Sequence, residues 1–114
     1  MSSRSPLVNL VVIRCADIER AATFYRALGL VLTRESHGGP VHYSSQLGDC
    51  VFELYPLKPG ASSTGVRLGF VVSDVNSILA AVVLHGGKII ESGARVVIED
   101  VEGHRIELTP ALEP

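Results

Sequence analysis

The sequence predicts an α+β fold of two tandem βαβββ modules, and three repeated features predict it. Asp17 and Asp74 each precede a helical pattern that meets glycine twelve positions later, at Gly29 and Gly86. An apolar run, residues 7–13 and 66–72, leads towards each aspartate. Each half closes on Glu-Leu inside a strand pattern, Glu53-Leu54 and Glu107-Leu108. The offset is 57 between the aspartates and 54 between the glutamates, so one loop differs by three residues. Order, spacing and end signal all recur, which is the mark of an internal repeat.

Each element has a local cause. The two aspartates suit helix N-caps, because a carboxylate accepts from the free amides of the first turn. In the first helix Ile18, Ala21, Ala22, Tyr25 and Leu28 fall on one face at helical spacing. Gly29 and Gly86 can take the left-handed conformation that ends a helix. The second helix, 75–85, is apolar on most sides and is expected to be well buried or to pack against another chain. Strand patterns follow at 30–35, 41–47 and 50–55, then at 88–91, 94–99 and 105–109. Glycine-bearing turns separate them, His37-Gly38-Gly39-Pro40 among others. This gives one domain over 1–114, with module one at about 6–57, a Pro/Gly/Ser linker at 58–64 and module two at about 65–112.

Composition narrows the partners. Twelve acidic and ten basic residues give a formal charge of −2, and neither sign runs beyond two in a row. Nucleic acid is not expected, since phosphate binding needs a clustered basic surface. The longest apolar run, 78–84, is far shorter than the roughly 20 residues that span a bilayer. The first six residues lack a basic-then-apolar signal pattern. The expectation is a cytoplasmic protein with no membrane partner. Cys15 and Cys50 have no metal-type spacing and read as free core thiols, with a disulfide as the alternative.

Several segments carry a family likeness. They are residues 14–20 (Arg-Cys-Ala-Asp-Ile-Glu-Arg), Phe24-Tyr25, Leu28-Gly29-Leu30, Val51-Phe52-Glu53-Leu54 and the closing stretch 99–108. Over about residues 7–112 the chain resembles the vicinal oxygen chelate superfamily of glyoxalase I, bleomycin resistance proteins and extradiol dioxygenases. The stretch 99–108 looks like that family's closing D-P-x-G-x-x-x-E-L hairpin, with Val101 in place of the proline. The resemblance implies that two modules form an eight-stranded cup, and that a chain this short pairs as a homodimer.

The resemblance also implies where a metal would sit: one side chain from the first strand and one from the last strand of each module. The last-strand positions hold Glu53 and Glu107, but the first-strand positions, seven residues before each capping aspartate, hold Leu10 and Arg67. Leucine has no donor atom, and arginine is a permanent cation. By strand alternation Glu53 shares a face with Tyr55, and Leu10 with Arg14. If these faces line the cup, Glu53, Glu107, Arg14 and Arg67 balance to zero, and Arg67 is expected to bridge both carboxylates where the family holds its metal. Alternation equally allows both glutamates to face solvent, with Phe52, Leu54, Ile106 and Leu108 in the core.

The resemblance makes Arg14 a holder of a ligand carboxylate. Tyr55 can reach the same pocket, or pack across strands. His42 reads as a half-exposed strand histidine, or as a stand-in metal ligand with Glu53 and Glu107. His37 and His104 fall in loops, and His85 at a helix end.

Two functions are therefore expected. The first is a glyoxalase/bleomycin-resistance-like protein that binds a small polar or anionic molecule without metal or other cofactor. Its ligand residues are Arg14, Arg67, Glu53, Glu107, Tyr55 and His42. The alternative is a metal-dependent lyase, isomerase or dioxygenase related to glyoxalase I (lactoylglutathione lyase). There a divalent Ni, Zn, Fe or Mn polarises a carbonyl while Glu53 or Glu107 shuttles a proton.

Overall fold

The computed structural model describes residues 6–62 and 65–112. Two positions of the expected linker, 63–64, and the first five residues lie outside that description. The elements run β1 (Leu10–Cys15), α1 (Ile18–Ala27), β2 (Thr33–Glu35), β3 (His42–Leu47), β4 (Cys50–Pro56), β5 (Arg67–Val72), α2 (Val75–Leu84), β6 (Lys88–Ser92), β7 (Val96–Glu99) and β8 (Arg105–Pro110). This is βαβββ twice. The eight strands form two four-stranded sheets, ordered β1-β4-β3-β2 and β5-β8-β7-β6. In each sheet the first and last strands of the module run parallel and the other pairs are antiparallel.

The capping predicted from sequence is realised in both helices. Asp17 accepts from the Arg20 amide at 3.0 Å, and Asp74 from the Ser77 amide at 3.2 Å. Gly29 and Gly86 stand at φ +107° and +88°, the left-handed region that side chains disfavour. One correction concerns strand length. Residues 30–32 precede β2 as irregular chain, yet Leu30 and Leu32 are buried. Their apolar pattern reports burial rather than strand pairing.

The core lies between the helices and the sheets. Alternation puts Ile13 and Cys15 of β1, Phe52 and Leu54 of β4, and Ile106 and Leu108 of β8 on the buried side. From α1 come Ala21, Ala22, Phe24 and Tyr25. The second helix departs from the expected deep burial. It buries only Ile78 and Val82, one turn apart, and leaves Val83 and Leu84 exposed. A ten-residue helix on one layer can bury one stripe, whatever its composition.

The two modules are locked together by polar contacts as well as apolar ones. Tyr25 packs near both Phe52 and Phe70, at ring-centroid distances of 5.2 and 6.4 Å. Its hydroxyl donates to the Asp100 carboxylate at 2.6 Å. The same carboxylate meets His104 Nδ1 at 2.9 Å and accepts from the amides of Glu102 and His104, each at 2.8 Å. Glu102 accepts from the amides of Ala16 and Asp17 at 2.9 and 3.0 Å, so the closing hairpin of the second module caps the entry to α1.

Candidate functional site

The face of each sheet opposite the helices carries the charged residues. On the first sheet Val12 lies in register with Glu53, Arg14 with Tyr55, and Ser44 with Glu53. Tyr43 is opposite Leu54, so His42 falls across from Tyr55. The His42 and Tyr55 rings stack at 4.3 Å with 7° between planes, and the Arg14 guanidinium sits 5.1 Å from the Tyr55 ring centre. Arg14, Tyr55 and His42 therefore form one column.

His42 is not the half-exposed strand residue expected; its side chain is 5% exposed. Tyr55 covers one face of the ring. Nδ1 lies 3.1 Å from the Pro40 carbonyl, which can only accept, so Nδ1 carries the proton there. Nε2 then points at two carboxylates, Glu35 at 3.3 Å and Glu53 at 3.7 Å. His37 Nε2 approaches the same Glu35 oxygen at 3.6 Å.

On the second sheet Arg67 meets Glu107 at 3.3 Å. Arg95 approaches that oxygen at 3.8 Å and also reaches Glu91 at 3.6 Å. Arg105 lies in register beside Arg67 and pairs with Glu99 at 3.1 Å. The expected bridge by Arg67 between both closing-strand glutamates is not made among the described residues. Arg67 holds Glu107 alone, while Glu53 lies 3.7 Å from His42 Nε2. The reason is topological: the two glutamates belong to separate sheets that share no strand pairing.

Sequence reasoning missed Glu35 and Arg95. Glu35 enters through the β2–β3 register, which pairs it with His42. Arg95, inside the strand pattern expected at 94–99, instead lies in the bend before β7 and turns to Glu107. A cleft of about 470 Å³ opens between the sheets, lined by apolar residues that include Val11, Phe52, Leu68 and Phe70 and by none of the charged groups above.

Cys15 and Cys50 are both free thiols. Burial, reinforced by the nearby carboxylates of Glu102, Asp100 and Asp17, pushes the Cys15 thiol up to about 12. Iodoacetamide at mildly alkaline pH is therefore expected to modify half-buried Cys50 in the native protein and to spare Cys15 until the chain unfolds. Equal labelling rates would contradict this burial. The linkage has a definite sign. The unfolded thiol ionises near its ordinary value of 9.0 and the folded one near 12, so this contribution is full below pH 9 and is lost as pH rises through that window. Tyr25, raised by burial and by Asp100, acts in the same direction at still higher pH.

The family model of the Glyoxalase/Bleomycin resistance protein/Dioxygenase superfamily matches residues 7–108. The chain belongs to that superfamily. No curated protein matches it significantly. Solved structures with the same fold include a glyoxalase/bleomycin resistance protein/dioxygenase family enzyme from Burkholderia phytofirmans PsJN. It is 18% identical with TM-score 0.74, over 91% of this chain and 98% of that one. A glyoxalase/bleomycin resistance protein from Albidiferax ferrireducens T118 is 19% identical with TM-score 0.70, over 90% and 98%. A glyoxalase-related enzyme from Fulvimarina pelagi is 18% identical with TM-score 0.72, over 92% and 88%. At these identities the likeness speaks for the fold.

The superfamily's usual metal positions do not fit a metal in this chain. Leu10 offers no donor, and Arg67 places a guanidinium against Glu107. A divalent ion at Glu107 would meet two arginines, Arg67 and Arg95, within the same cluster.

Proposed function

We propose that this superfamily member binds a small polar or anionic molecule on the open faces of its sheets, without the family's metal. The observation that carries the reading is the Arg67–Glu107 pair. The carboxylate is already neutralised, while Arg67 spends one donor on it and remains 52% exposed. A guanidinium has five N–H donors, so several are left for an incoming carboxylate or phosphate. Arg105, in register beside Arg67, adds a second positive group on the same face. The Arg14–Tyr55–His42 column offers a flat polar wall on the first sheet.

The two faces are completed by a second copy of the chain. Free edges remain at β1 and β5, and Leu7, Val8, Leu10 and Val71 near them are exposed. The radius of gyration is 15.1 Å, against about 13 Å for a compact chain of this length. In a homodimer a first sheet and a partner's second sheet can form one cup. Sedimentation is expected to give a dimer that Leu10→Lys with Val71→Lys converts to monomer. A wild-type monomer at all concentrations would contradict the pairing.

The ligand reading is tested by thermal shift in buffer containing EDTA, with oxalate, pyruvate, succinate and inorganic phosphate as probes. At least one anion is expected to raise the melting temperature, and Arg67→Gln to abolish the shift. No shift with any probe overturns the anion reading. A shift that appears only with added nickel or manganese, and that Glu107→Gln abolishes, favours the metal-dependent lyase, isomerase or dioxygenase instead.

A further inference from the structure

We propose that Glu35, His37 and His42 form a divalent transition-metal site of the zinc type on the first module, with a ligand set that is not the family's. Their ligand atoms all lie within 4.8 Å of one another. The spacing suits a first coordination shell. Bonds of about 2.0–2.1 Å in a tetrahedron put neighbouring ligand atoms about 3.3–3.4 Å apart. Glu35 stands 3.3 Å from His42 Nε2 and 3.6 Å from His37 Nε2.

The second observation is the state of His42. Its Nδ1 proton is committed to the Pro40 carbonyl, the orienting contact that metal-bound histidines commonly make. In the neutral ring, Nε2 presents a lone pair to the Glu35 and Glu53 carboxylates. Two carboxylate oxygens lie 3.3 and 3.7 Å from one ring nitrogen on a side chain 5% exposed, an arrangement that favours a cation beside them. A dication meets that need, and the charges of Glu35 and Glu53 balance it. His37, on the exposed β2–β3 loop, completes the set from the solvent side.

The site shares His42 with the polar wall of the first sheet but not the Arg67–Glu107 pair that carries the anion reading, so Arg67→Gln and His37→Ala separate the two. The test is calorimetric titration of ZnCl2 into chelator-stripped protein, with circular dichroism confirming the fold of each variant. One zinc per chain is expected, with affinity at least tenfold weaker in His37→Ala and in Glu35→Gln and unchanged in Glu107→Gln. Cobalt(II) should give the intense visible bands of a tetrahedral site in the wild type and lose them in His37→Ala. His37 is exposed, so its variant tests the ligand without disturbing the core. Absence of zinc uptake overturns the proposal. Uptake indifferent to both variants, or lost in Glu107→Gln, overturns it as well.

Discussion

Asp100→Ala is expected to lower the unfolding free energy by about 3–5 kcal/mol, the range for breaking a buried charged network by removing one partner. The Asp100 carboxylate is fully buried and has four partners: the Tyr25 hydroxyl, His104 Nδ1, and the amides of Glu102 and His104. Alanine leaves all four without that acceptor, in a place water does not reach. The amides also shape the turn from which Glu102 clamps the start of α1, so both the hairpin and the module contact weaken together. At about 4–8 °C per kcal/mol for a small domain, the melting temperature should fall by more than about 12 °C. Asp100→Asn keeps the shape and one carbonyl oxygen, and should lose roughly half as much. A loss under about 1 kcal/mol for Asp100→Ala in urea denaturation would show that the network carries little.

Gly87→Ala is the second large effect, at about 2–3 kcal/mol, the upper part of the range for overpacking a core. Here the backbone conformation is not the obstacle, because Gly87 does not have a positive φ. Space is. An added Cβ would sit 2.4 Å from the Phe24 ring, 2.7 Å from the Glu99 carbonyl oxygen and 2.9 Å from Val82 Cγ1. Phe24 and Val82 are fully buried, and the carbonyl belongs to β7, so none of the three yields easily. Gly87 is where α2 turns back close against α1 and the second sheet, and its amide donates to Val82 at 2.8 Å. Gly93→Ala is the control. It has open space around it and no positive φ, and should change stability by well under about 1 kcal/mol. Equal effects at the two glycines would contradict the packing described.

What was legible in the sequence is what repeats or alternates. The aspartate caps, the glycine stops and the closing Glu-Leu pairs gave element order in both halves, and strand parity put Phe52, Leu54, Ile106 and Leu108 inside. Features that depend on register between strands were not legible. His42 is buried because the β3–β4 register sets it against Tyr55, and Glu35 joins it through the β2–β3 pairing; neither follows from composition. Asp100 is legible as the aspartate of the closing hairpin and Tyr25 as part of the apolar face of the first helix, but nothing in the sequence pairs the two. The balance of Glu53, Glu107, Arg14 and Arg67 was sound as arithmetic but wrong as geometry within one chain, because each glutamate finds its own partner in its own sheet.

The central claim is that the position where this superfamily holds a metal is closed here by an ion pair. The most direct measurement is a nickel-soaked crystal of the wild-type protein, with anomalous scattering recorded at the metal edge. The account predicts no anomalous peak shared by the Glu53 and Glu107 carboxylates, within a chain or across a dimer, and Arg67 resting on Glu107. A peak coordinated by both glutamates, with Arg67 displaced, would contradict it.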